Sequence, residues 1–130
     1  MSTNIQGEVV KVSGPLVVAR GLSGARMYEM VRVGNAKLFG EIIEIRGEDY
    51  SIQVYEETGG IGPGQPVFRT GEALSVELGP GLIRSIYDGV QRPLDKIAAQ
   101  FGEYIVRGAE SPSLDRTMIW KFEPVAKVGD

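Results

Sequence analysis

The densest chemical signal in the chain is Gly59-Gly60-Ile61-Gly62-Pro63-Gly64, because successive backbone N–H groups in a glycine-rich loop can cradle a phosphate. Its surroundings point to a turn instead. No Lys-Ser or Lys-Thr pair follows it, no G-x-x-x-x-G-K-S/T string occurs anywhere in the chain, and Pro63 removes one of the donors. The carboxylates that could do acid–base or metal work are Glu56-Glu57, Glu48-Asp49 and Asp88. Neighbouring carboxylates on an extended chain point to opposite faces, so Glu56 and Glu57 do not form a facing pair. Glu48-Asp49 and Asp88, each beside a glycine, read as solvated turn residues. Lys37 lies on a turn, but Asn35-Ala36-Lys37-Leu38 lacks the flanking pattern of a lipoyl- or biotin-carrier hairpin. In Met118-Ile119-Trp120-Lys121-Phe122, alternation places Met118, Trp120 and Phe122 on one face, which reads as a packing stripe and not as a ligand platform.

Histidine and cysteine are absent, which excludes disulfides, thiolate or imidazole zinc sites, Cys nucleophiles and His-based triads. An autonomous enzyme fails for want of a convergent acid, base and nucleophile. The 14 Lys and Arg are set against 17 Asp and Glu, and neither half of the chain is basic, which argues against nucleic acid as a partner. No apolar run approaches the ~18 residues that a membrane span needs, and no secretory signal follows Met1. The expectation is a soluble, cytoplasmic protein with no direct membrane insertion.

The elements that would position these groups are mainly β. Among 130 residues there are 18 Gly and 7 Pro, interleaved with Val, Ile, Tyr and Phe, the composition of a turn-rich β domain. The β-branched runs Ile5–Val12 and Leu16–Ala19 flank Ser13-Gly14-Pro15, and Met27–Val33 and Leu38–Ile45 flank Gly34-Asn35-Ala36-Lys37 as a hairpin. Tyr50–Tyr55 alternates cleanly, with Tyr50, Ile52 and Val54 on the inner face and Ser51, Gln53 and Tyr55 on the outer one. With the short run Val67-Phe68-Arg69, these five or six strands predict a small closed barrel ending near Thr70. Beyond it the pattern predicts a strand over Ala73–Leu78, a short amphipathic stretch over Leu82–Tyr87, and a helix whose stripe is Leu94, Ile97, Ala98 and Phe101, stopped by Gly102. It also predicts β character at Tyr104–Val106 and Thr117–Phe122.

The stretch from Gly7 to Val18 (GEVVKVSGPLVV), followed by Met27–Gly34 (MYEMVRVG), Gly40–Ile43 (GEII) and Gln53–Thr58 (QVYEET), resembles in order and spacing the catalytic A subunits of archaeal and vacuolar rotary ATPases. The strings TGEALSVELGPGL and IYDGVQRPL, between Thr70 and Leu94, are the most specific; the noncatalytic B partner lacks the GPGL and DG-x-QRPL forms. The resemblance covers nearly the whole chain. It implies a β-barrel over 1–70, a lead-in to an α/β nucleotide-binding domain over 71–110, and the start of a β-rich bulge insert over 111–130. It also implies that the chain is an N-terminal fragment of a much longer subunit, whose P-loop and catalytic glutamate lie beyond Asp130. No catalytic, cofactor-binding or metal residue is then expected in this chain. Mg-ATP or Mg-ADP is the cofactor of the parent alone.

In that parent, the resemblance implies ATP synthesis or hydrolysis in an alternating hexamer with B subunits, coupled through stalk subunits to proton or sodium transport, on the cytoplasmic face of a membrane. The barrel would serve hexamer assembly. The alternative for the chain itself is a free-standing small-barrel binding module. The apolar groups after Gly71 are expected either to fold back on the barrel or to drive self-association.

Overall fold

The computed structural model describes residues 7–102, 104 and 106–129. Six strands, β1 (Gly7–Ser13), β2 (Leu16–Arg20), β3 (Glu29–Val33), β4 (Leu38–Arg46), β5 (Asp49–Val54) and β6 (Pro66–Ala73), close into an antiparallel barrel in the order β1-β2-β5-β4-β3-β6. Ile5 and Gln6, expected at the start of the first strand, lie outside the described residues.

Turn chemistry sets the hairpins. Gly14 (φ +58°) and Gly47 (φ +60°) each hold the first position of a two-residue loop, the place where a II′ turn needs a positive φ. Gly34 (φ +72°) starts the β3–β4 turn, closed by the Lys37 N–H donating to the Gly34 carbonyl at 3.0 Å.

Alternation fills the interior. Val9, Val17, Ala19, Leu22, Val31, Val33, Leu38, Ile42, Tyr50, Ile52, Val54 and Val67 form one core, each large side chain contributing about 1.5–3 kcal/mol by leaving water. The inner face of β5 is as expected, with Tyr50, Ile52 and Val54 buried and Tyr55 exposed. In β4 the register shifts between Ile42 and Glu44, so that Ile43 turns outward while Ile45 still packs on the core. At Gly40 a Cβ would come within 2.7 Å of the Ile52 side chain, so the barrel wall needs glycine there for space.

The long β2–β3 connection is tied down by charge. Glu29, 2% exposed, takes Nε and Nη2 of Arg69 at 2.7 and 2.9 Å and the N–H groups of Arg26 and Gly71, both at 3.1 Å. Arg69 donates onward to the carbonyls of Ser23 and Gly24, which fastens that loop to β6.

After β6 the expected helix is present as α1 (Leu94–Phe101), with Gly102 (φ +80°) ending it. Of its stripe only Ile97 is buried; Leu94 and Phe101 are exposed. The expected strands are not formed. Over 74–78 no ladder exists, and the Gln91 side-chain amide serves Glu77 instead, accepting from its N–H at 2.6 Å and donating to its carbonyl at 2.7 Å. Over 117–122 the backbone is likewise unpaired with any strand, and Ile119 and Phe122 face outward. Alternation describes a strand's faces, but a strand persists only where a neighbour offers a ladder, and among the described residues none lies beside these runs. Leu82–Tyr87 holds one turn at 83–84, with Arg84 at φ +73°, and ends at an isolated bridge between Tyr87 and Pro93, and the Tyr104–Val106 run includes a residue outside the described set.

Candidate functional site

The largest concentration of charge lies where the segment after β6 returns to one end of the barrel. β4 supplies Phe39, the chain just past β5 supplies Glu56, β3 supplies Arg32, and the loop 88–92 supplies Asp88 and Arg92. That loop is local in origin. The Asp88 carboxylate accepts from the N–H groups of Val90 (3.0 Å) and Arg92 (2.9 Å), and the Asp88 N–H donates to the Arg92 carbonyl at 3.1 Å. The loop delivers the Arg92 side chain to the barrel.

Arg92 is the hub. Its Nε donates to Asp88 Oδ2 at 2.6 Å, and its Nη1 donates to Glu56 Oε1 at 3.0 Å and to the Ala109 carbonyl at 3.3 Å. Two guanidinium groups lie over the Phe39 ring, with Arg32 Cζ 3.3 Å and Arg92 Cζ 5.2 Å from its centroid. Glu56 also takes the Phe39 N–H at 2.9 Å and the Gly108 N–H at 3.0 Å, while Arg32 pairs with Glu110 at 2.9 Å. A cleft of about 400 Å³ opens beside this cluster, lined in part by Phe39, Tyr55, Leu74 and Val90.

Protonation follows from these contacts. Burial pushes the Asp88 carboxyl up, but the Arg92 N–H and guanidinium outweigh it and hold the group below its ordinary range. Burial lowers the Arg92 guanidinium, and Asp88 and Glu56 more than restore it. For Arg32, burial wins over Glu110 and Glu56 and leaves it lowered.

The structure therefore brings together two of the carboxylates singled out in the sequence, Glu56 and Asp88, and keeps both from the solvent: their side chains are 10% and 21% exposed. Asp88 shapes its turn as expected but is not solvated there, because Arg92 binds it together with Glu56. Glu57, past the end of β5, is exposed, and Asp49 is the first residue of β5, where it pairs with Arg20 at 2.5 Å, so that of the expected turn pair only Glu48 sits in the turn. The glycine cluster presents the wrong polarity for phosphate. The carbonyls of Glu57 and Gly59 accept from Arg107 Nη1 at 2.9 and 2.7 Å, while the N–H groups of Ile61 and Gly64 are spent on the Thr58 and Val9 carbonyls. Lys37, at φ +53°, is held in the β3–β4 turn. Trp120 is half-exposed beside Met118. Among the described residues no three acidic side chains converge in a way that could hold a metal ion. Arg32, Arg92, Arg107 and Glu110 carry the junction, and the sequence drew notice only to Arg32, within MYEMVRVG, and to Arg92, within QRPL, each as part of a string and not as a site residue.

A cluster in which Arg32 and Arg92 are answered by Glu110, Glu56 and Asp88, and Arg107 by two carbonyls, is built to hold polypeptide together, and it sits on a closed six-stranded barrel. Residues 9–71 match the beta-barrel domain of the ATP synthase alpha/beta family. The chain's similarity to one branch of the family runs nearly end to end. It is 62% identical over 125 residues to the V-type ATP synthase alpha chain of Thermoanaerobacter sp. (strain X514), covering 96% of this chain. It is 60% identical over 124 residues, 95% of this chain, to V-type ATP synthase alpha chain 1 of Clostridium tetani and to the alpha chain of Clostridium botulinum (strain Langeland). The chain spans 21% of the length of each of these relatives. No helix among the described residues is long and apolar enough to cross a membrane.

Proposed function

We propose that this chain is the N-terminal assembly region of the catalytic subunit of an ion-translocating rotary ATP synthase or ATPase. The observation that carries the reading is the closed barrel, together with 62% identity extending over 96% of the chain to a V-type ATP synthase alpha chain. A closed barrel is rigid and offers lateral faces that do not change as neighbouring parts move, which suits a collar of packed subunits. In the full-length subunit, ATP synthesis or hydrolysis is coupled to proton or sodium transport, with noncatalytic B subunits alternating in a hexamer and stalk subunits completing the complex. That complex lies peripherally on the cytoplasmic face of a membrane. Nucleotide chemistry belongs to the parent, with Mg-ATP or Mg-ADP as its cofactor, and not to residues of this chain.

The test is co-assembly. The full-length subunit, mixed with its B partner, is expected to give an alternating hexamer by native mass spectrometry. The same subunit with its barrel deleted should retain nucleotide binding and fail to form the ring. Ring formation at undiminished yield without the barrel would reject the assembly role.

A further inference from the structure

Residues 107–110 lie outside the matched barrel domain, yet each of them meets the barrel or the Arg92 loop docked on it, and each through a different chemistry. Arg107 Nη1 donates to the carbonyls of Glu57 and Gly59. The Gly108 N–H donates to Glu56 Oε1, and at φ +66° a Cβ on this residue would lie 1.9 Å from the Ala36 carbonyl oxygen, so only glycine seats here. Ala109 is 6% exposed, and its carbonyl accepts from Arg92. Glu110 pairs with Arg32, which stacks on Phe39. Cation to carbonyls, glycine at a close approach, buried methyl and anion to cation make a four-residue readout of the kind by which a domain recognises a peptide.

The contact is also separate from what folds the barrel. No residue of 107–110 belongs to the apolar core, and none pairs with a strand. We propose that the barrel end formed by Arg32, Phe39, Glu56 and the Glu57 and Gly59 carbonyls is a recognition site for a short Arg-Gly-Ala-Glu segment. The chain's own residues 107–110 fill it, as a latch that opens while the barrel stays folded. The chain after β6 is then pinned to the barrel at Arg92 and again at 107–110, and whatever follows residue 110 starts from the barrel surface.

Hydrogen exchange on the 130-residue chain tests this, read amide by amide in the unsubstituted protein and in Gly108→Ala and Arg107→Ala. In the unsubstituted chain the Gly108 amide should be protected at least ~30-fold over an unstructured peptide, and in both variants it should fall to within about threefold of that reference. The barrel amides of Ile52 and Val54 should keep their protection throughout. Arg107 is exposed, so its variant reports even if Gly108→Ala folds poorly. Free exchange at Gly108 in the unsubstituted chain would overturn the proposal. So would protection there that survives both substitutions, or a parallel loss at Gly108 and Ile52, which would make the strap an inseparable part of the barrel.

Discussion

Arg92 and Glu56, 36 residues apart in sequence, meet at 3.0 Å between Nη1 and Oε1, with side chains only 12% and 10% exposed. The pair closes a loop of chain that leaves the barrel and returns to it. Replacing Arg92 by Ala leaves Glu56 and Asp88 desolvated without their shared cation. The expected cost is about 1.5–3 kcal/mol in a urea melt, the range for charged hydrogen-bonding groups, with Arg92→Lys recovering less than half because an ammonium cannot bridge both carboxylates with fork geometry. A neutral Arg92→Ala melt would show that the junction contributes nothing to stability.

Ile52 is fully buried and Gln53, its neighbour in β5, only half so. Ile52→Ala should cost about 2–5 kcal/mol, whereas Gln53→Ala should stay below about 1. Equal losses in paired urea melts would contradict the register of β5.

Burial raises the Glu29 carboxyl, but Arg69 and the N–H groups of Arg26 and Gly71 outweigh it, so its folded-state pKa lies below the ordinary 4.5. The stabilisation is therefore complete above that value and is lost as the pH falls through the lower, folded-state pKa. Glu29→Gln should lose about 1–3 kcal/mol at neutral pH and show a shallower decline in stability between about pH 5 and pH 2. Parallel acid limbs in the two proteins would assign the acid sensitivity elsewhere.

With no phosphate-cradling loop and lysine, the chain is expected to give a flat calorimetric titration with Mg-ATP. A saturable site tighter than roughly 100 μM, about 5.5 kcal/mol, would refute this.

The segment after β6 folds back at 88–92 and 107–110, yet Ile83, Ile119 and Phe122 remain 88%, 95% and 84% exposed. Each such side chain offers about 1.5–3 kcal/mol on burial. Light scattering should show mass rising with concentration, and Ile119→Ser with Phe122→Ser should suppress the rise. A constant monomer mass in the unsubstituted chain would count against association.

The barrel was legible in the residues because its causes are local. Period-two runs fix which face of Tyr50–Val54 meets the core, Gly14 and Gly47 fix the hairpins, and the spacing of Leu94 and Ile97 with Gly102 behind them fixes α1. The motif strings carried the family for the same reason, since a string is local. What followed β6 was misread as strand over 74–78 and 117–122, because alternation is a property of the run while a ladder is a property of its neighbours. The bidentate Glu29–Arg69 clasp, the reach of Arg92 to Glu56, and the seating of Gly108 against Ala36 join residues whose partners lie far away in sequence. A charge announces that it needs a partner when buried, but not which one. Only closure of the barrel and the return of the chain to its end brought those groups within hydrogen-bond reach.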